Sequence, residues 1–204
     1  MTRLGVLVSG RGTNLQAILE ACREDRVNAE VAVVASNKSC PALDIARAAR
    51  VPVVRVFSLA DHGGTLTARD AAMADVLDAN GVDLVVTAGY DRINDEAFVA
   101  RFPGRIVNVH PSLLPAFAGS MHAIRQAFEA GVTQTGVTIH LIEPNTVDSG
   151  RVLAQATVPV KPGDTLEQLE ERVHAAEHQL LPATIQALIE GRLPSALVTG
   201  QRRA

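Results

Sequence analysis

Short runs of Val, Ile, Leu and Ala recur along the chain without the in–out alternation of a half-buried strand, and stretches of helical period separate them. A run such as Glu30-Val31-Ala32-Val33-Val34-Ala35-Ser36 has no polar face. Such a strand is buried on both sides, the habit of parallel strands covered by helices. The pattern predicts strands over 4–9, 30–36, 53–56, 83–88 and 106–110, with helices over 14–24, 41–50, 67–79 and 95–101. Leu15, Ile18, Leu19 and Cys22 form the inner face of the first helix, and Leu43, Ala46 and Ala49 that of the second. Alternating β and α units of this kind specify an α/β fold with a doubly wound, mostly parallel sheet.

The second half changes character. Apolar runs at 136–143 and 152–160 follow one another with no helix between them, which suits an antiparallel extension of the sheet. A long amphipathic helix over 165–190 closes the fold, with Leu166, Leu169, Val173, Ala176, Leu180 and Leu181 inward and Pro182 expected to kink or split it. No repeat, low-complexity linker or domain boundary interrupts the 204 residues, and residues 201–204 read as a frayed tail. The chain is therefore expected to form a single domain over 1–204.

Charge narrows the partners. Nineteen Lys and Arg stand against 22 Asp and Glu, a net charge of −3, so no basic excess exists to hold a nucleic-acid backbone. The first apolar run is broken by Gly10 and Arg11, which suits a strand rather than a signal core or membrane span. Two cysteines, Cys22 and Cys40, suit a reducing cytosol, Cys22 in the core and Cys40 in a loop. No Cys/His spacing matches a zinc site, so no metal is expected. Aromatic residues are only 3% with no Trp, so a flat heterocyclic ligand would lie against aliphatic walls.

Three constellations could carry chemistry. The turn Ser9-Gly10-Arg11-Gly12-Thr13-Asn14 joins the first strand to the first helix. Its glycines and the open N–H groups of the helix suit a single phosphate. Leu15 stands where a dinucleotide fingerprint needs its third glycine. The same turn reads equally well as a tight connection with Thr13 or Asn14 as N-cap.

Asn108 and His110 lie two apart on a strand that Pro111 ends. They share a face, roughly 7 Å apart, at the carboxyl edge where doubly wound sheets bind ligands. An amide beside an imidazole can hold an oxyanion while a proton moves. Asp148, in Val147-Asp148-Ser149-Gly150, could orient His110 and raise its pKa, or simply occupy a turn.

Together these strings resemble the phosphoribosylglycinamide formyltransferase family, the folate-dependent transformylases of purine synthesis. The likeness extends through Ser36-Asn37-Lys38, Ala88-Gly89-Tyr90, Asn108-Val109-His110-Pro111-Ser112-Leu113-Leu114-Pro115, Thr135 to His140 and Glu177-His178. It implies the Rossmann-like formyltransferase fold, with a nucleotide-binding half over 1–105 and a catalytic, folate-binding half over 106–204. The implied reaction passes a formyl group from 10-formyltetrahydrofolate, a co-substrate, to the amine of phosphoribosylglycinamide in the cytoplasm. The implied partners are these small molecules, and homodimerisation is compatible with the sequence.

By the same resemblance Gly12, Thr13 and Asn14 hold the phosphate and Glu177 the ribose hydroxyls. Asp91, Arg92, Ile93 and Asn94 meet the pterin, mostly through their backbone, with Asn108 and the loop 143–148. Asn108, a charged His110 and Asp148 form the catalytic trio, His140 supports it through a hydrogen bond, and His122 lies on the surface. Departures from the family pattern are Asp91 for Met, Asn94 for Leu and Ala118 for Pro, with one extra residue near 120–122 and another in 143–147. Asp91 is expected to pair with Arg92 or face solvent. Leu66 replaces a basic residue, with Arg69 a turn away. The rival readings are a formyltetrahydrofolate hydrolase, which carries an extra N-terminal regulatory domain in that relative, and a non-catalytic phosphate-binding module.

Overall fold

In the computed structural model, which describes residues 1–144 and 146–193, the apolar runs pair side by side. Strands β1 (Thr2–Val8), β2 (Ala29–Ser36), β3 (Val53–Val56), β4 (Leu84–Thr87), β5 (Ile106–His110), β6 (Gln134–Leu141) and β7 (Val152–Pro159) form one sheet, ordered β3-β2-β1-β4-β5-β6-β7. Strands β1 to β5 are parallel, whereas β6 pairs antiparallel with both β5 and β7. The order reverses between β1 and β4. Loops leaving their carboxyl ends therefore diverge and open a crevice.

Helices α1 (Thr13–Arg23), α2 (Pro41–Ala48), α3 (Leu66–Ala79), α4 (Glu96–Arg101), α5 (Ala123–Glu129) and α6 (Leu166–Ile189) cover the sheet. Because side chains alternate across a strand, β1 sends Leu4, Val6 and Val8 into one core and Leu7 into the other. The first core takes Leu15 and Ile18 of α1, Leu43 of α2, and Leu169, Val173, Leu181, Ile185 and Leu188 of α6. The second is filled by Met73 and Leu77 of α3 and Phe98 of α4. No helix among the described residues is long and apolar enough to cross a membrane.

Three local expectations are corrected. Helix α5 was not foreseen, since seven residues with Ala123, Ile124 and Ala127 buried are too few to display a helical period. In α2 the inward face is Ala42, Leu43 and Ala46, while Ala49 is exposed at the helix end. Pro182 does not split α6, which runs unbroken from a Thr165–Gln168 capping box to Ile189. One missing N–H costs less than the packing of Leu181 and Ile185, both fully buried on either side of it. The expected tail at 201–204 lies outside the described residues.

Candidate active site

On β5, Ile106 points into the core beneath α3 and α4. Asn108 and His110 follow on that same face. The antiparallel register sets His140 opposite Asn108 and Thr138 opposite His110. Thr87 of β4 lies beside Asn108 on the other flank. A polar patch therefore continues an apolar face at the sheet's carboxyl edge.

Each amide and ring in the patch is fixed. The Thr87 hydroxyl donates to Asn108 Oδ1 at 2.6 Å, which turns Nδ2 of Asn108 toward His140 Nε2 at 3.0 Å and Asp148 Oδ1 at 3.4 Å. His140 donates from Nδ1 to the Leu141 carbonyl at 3.0 Å, which fixes its ring with Nε2 turned toward Asn108 and Asp148. Asp148 reaches His110 Nδ1 at 3.2 Å and His140 Nε2 at 3.4 Å. The carboxylate thus lies within reach of both rings and of the amide.

Loop conformation aims these groups. Asp148 has φ +50°, in the left-handed region, and the Gly119 amide donates to its Oδ2 at 2.8 Å. Phe117, also left-handed at φ +58°, presents the carbonyl that accepts from His110 Nε2 at 3.2 Å. Positive φ is costly for a bulky residue such as Phe117 and easier for Asp148, and these two left-handed residues flank one imidazole. The 111–115 segment is seated by Thr138, whose hydroxyl donates to the Ser112 carbonyl at 2.7 Å and accepts from the Leu114 amide at 3.0 Å. Gly136 makes room for it, since a Cβ there would meet Leu113 Cδ2 at 2.6 Å.

Electrostatics correct one expectation. His110 is not raised toward a charged state. Burial lowers its pKa below the ordinary imidazole value, outweighing the upward pull of Asp148 and of the Phe117 carbonyl. Asp148 behaves differently: burial pushes it up, but His140, the Gly119 amide and His110 together hold it below the usual carboxylate range. The site at neutral pH therefore pairs an ionised carboxylate with a neutral imidazole.

The first turn ends on Gly12, which is itself the N-cap of α1 at φ +84°. Neither Thr13 nor Asn14 caps the helix, so its first N–H groups have no side-chain acceptor. A Cβ on Gly12 would lie 2.8 Å from Ala42 Cα, because α2 crosses directly over the turn. Asn14 is buried and donates from Nδ2 to Glu177 Oε2 at 3.1 Å. Glu177 is 4% exposed, not a solvated carboxylate, and also accepts from His174 Nδ1 at 2.9 Å. That bond pushes His174 up against the effect of burial. Arg11 approaches the other ring nitrogen of His174 at 3.4 Å. Strands β1, β4 and β5 are neighbours, so the turn and the trio lie about 10 Å apart across the sheet edge.

Between them runs the 88–95 loop. Ser9 accepts from the Asp91 amide at 3.0 Å and donates to Asn37 Oδ1 at 2.6 Å. Asp91 neither faces solvent nor relies on Arg92, which stays 3.9 Å away. Its carboxylate takes Asn37 Nδ2 at 2.9 Å and the Lys38 ammonium. Burial pushes Asp91 up, and these donors bring it below its ordinary value. Asn94 is held from below by Asp70, whereas Arg92 and Ile93 are exposed. Arg69 is 1% exposed and paired with Asp70, so it presents no charge to a ligand in place of Leu66. His122 is exposed just before α5, as expected.

Sequence reasoning missed Thr87, the Phe117 carbonyl, the Gly119 amide and His174. Only His174 left a signal, being three residues before Glu177 on a helix.

This architecture has counterparts among known proteins. A family model described as formyl transferase matches residues 2–185. The chain belongs to the formyl transferase family. The phosphoribosylglycinamide formyltransferase of Mycobacterium tuberculosis is 45% identical over 186 residues, covering 91% of this chain and 84% of that protein. The phosphoribosylglycinamide formyltransferase of Haemophilus influenzae is 39% identical over 193 residues, 95% and 90% of the two chains. Among solved structures, glycinamide ribonucleotide transformylase 1 from Symbiobacterium toebii superposes with a TM-score of 0.89 at 48% identity, covering 94% of this chain and 89% of that one.

Proposed function

We propose that the chain transfers the formyl group of 10-formyltetrahydrofolate to the amine of phosphoribosylglycinamide. The observation that carries this reading is the convergence of Asn108, His110 and Asp148 at the sheet edge, two strands from an uncapped helix N-terminus. The phosphate is received by Gly12, Thr13 and Asn14, where open N–H groups and the helix dipole favour an anion. Glu177, held by Asn14 and His174, offers its carboxylate to the ribose hydroxyls. Residues 91–94 and the 143–148 loop take the pterin.

The amine attacks the formyl carbon, and the carbonyl electrons move onto oxygen. Asn108 Nδ2, aimed by Thr87, exchanges its long 3.4 Å contact with Asp148 for a hydrogen bond to that oxyanion. A well-placed donor of this type contributes about 3–4 kcal/mol to lowering the barrier. Neutral His110 takes a proton from the new ammonium and passes it to the folate nitrogen as its bond to carbon breaks. Asp148 stabilises the imidazolium while it exists. His140 acts on the donor amide, holding it in line.

Absorbance of the released folate tests this directly. Release is expected only when phosphoribosylglycinamide is present, and His110→Ala should slow turnover at least about 100-fold while leaving phosphate-ester binding intact. Release without the amine would make the protein a hydrolase, and absence of release under both conditions would make it a binding module. Near-native turnover in His110→Ala would remove the assigned role of the imidazole.

A further inference from the structure

Beneath the 88–95 loop, α3 carries a buried ion pair of adjacent residues. Arg69 is 1% exposed and Asp70 0%. Arg69 Nε donates to Asp70 Oδ1 at 2.7 Å, and Nη2 lies 2.6 Å from the same oxygen. The second oxygen is turned to the loop: Oδ2 accepts from the Asp95 amide at 2.7 Å and is approached by Asn94 Nδ2 at 3.4 Å. Asp95 in turn caps α4 through the Phe98 amide at 2.8 Å.

We propose that Asp70 is a positioning residue for the formyl donor, acting on the 91–94 loop through Asn94 and through Asp95 at the loop's end. This deepens the reading of that loop as the folate contact and rests on it. The loop is tied at its near end by Ser9, at the Asp91 amide, and at its far end by Asp70. Between the ties only Arg92 and Ile93 are exposed, Ile93 at 66%. Two fixed ends with a short free span make a preset edge of the cleft, which lowers the cost of ordering the loop on binding.

The chemistry of the pair supports direction over stability. Burying two charges carries a desolvation cost that an apolar pair at 69 and 70 would avoid. Helix α3 already has Met73, Ala74 and Leu77 to hold it on the sheet. Arg69 directs two nitrogens at one carboxylate oxygen, and among the described residues the Tyr90 hydroxyl is buried without a hydrogen-bond partner, so the cluster is not arranged for maximal bonding. Its carboxylate instead divides its oxygens, one for neutralisation and one for the loop.

Steady-state kinetics on Asp70→Asn and Asn94→Ala test the proposal, with Ile93→Pro, which removes a backbone N–H from the free span, reporting on the loop itself. Asp70→Asn should raise KM for 10-formyltetrahydrofolate about 10-fold, the effect of one lost charge-assisted bond, with KM for phosphoribosylglycinamide and kcat within about twofold. Asn94→Ala keeps the buried pair intact and should raise the donor KM about threefold. The two effects should be less than additive in the double variant, because both act on one tie. Equal rises in both KM values, or a folded Asp70→Asn with an unchanged donor KM, would overturn the positioning role. If Asp70→Asn does not fold, Asn94→Ala decides: an unchanged donor KM overturns the proposal. Should Ile93→Pro also leave the donor KM unchanged, the folate reading of the loop fails with it. A rise in Ile93→Pro alone confines the failure to Asp70.

Discussion

His110 sits between two acceptors, the Phe117 carbonyl on Nε2 and the Asp148 carboxylate near Nδ1. Both favour the charged ring. Burial opposes them and prevails, so the folded pKa falls below the unfolded value of about 6.5. Neutral His110 binds fewer protons in the folded than in the unfolded chain. Its contribution to stability is therefore complete above the unfolded pKa and is lost as pH falls through about 6.5 toward the folded value. Asp148, lowered in the fold, adds a second loss further into acid, as pH falls below the ordinary carboxylate range toward its folded value. NMR titration of the His110 ring should give a midpoint below that of an unstructured histidine. Asp148→Asn should move it lower still, because the removed charge was pulling upward. A midpoint unmoved or raised by that substitution would show that Asp148 does not act on the ring electrostatically.

Among the elements, the β1–α1 turn makes the sharpest demand on sequence. Gly12 has both positive φ and a neighbouring helix against its Cα, whereas Gly10 has open space around it. Gly12→Ala should lose about 3 kcal/mol, from left-handed strain together with overpacking against Ala42. For a chain of this length that is a fall in Tm of roughly 6–12 °C. Gly10→Ala should stay within about 0.5 kcal/mol, and thermal melts of the pair check the difference. The same turn marks how far the sequence was legible. All seven strands could be read from their apolar runs, unbroken where both faces are buried as in β2 and β4 and looser in the half-exposed β3 and β7, and Asn108, His110 and Asp148 stood in recognisable strings. What could not be read depends on partners far apart in the chain: the capping role of Gly12, fixed by its conformation; the pairing of Asp91 with Lys38, 53 residues away; and the depressed pKa of His110, which depends on packing. Helix α5 escaped for a different reason, being shorter than the window in which a period can be seen.

At the scale of the whole molecule, the two halves share one sheet, and α6 crosses from the second half to cover the first. Its Leu169, Val173, Leu181, Ile185 and Leu188 are fully buried in the core that also holds Leu15 and Ile18 of α1. Five aliphatic side chains of this kind contribute about 7–15 kcal/mol, as much as the entire net stability of an ordinary domain. Glu177 adds a polar tie to Asn14, 163 residues away, so the β1–α1 turn and the last helix are braced against each other. Neither half, 1–105 or 106–204, is then expected to fold alone, and the chain should unfold as one cooperative unit. Calorimetry on the intact protein should give one transition whose van't Hoff and calorimetric enthalpies agree. A chain ending at residue 164, before α6, should show no cooperative transition and no phosphate-ester binding. Two resolved transitions in the intact protein, or a cooperative melt of the shortened one, would mean that the first half supports its own core and that α6 covers it without holding the fold.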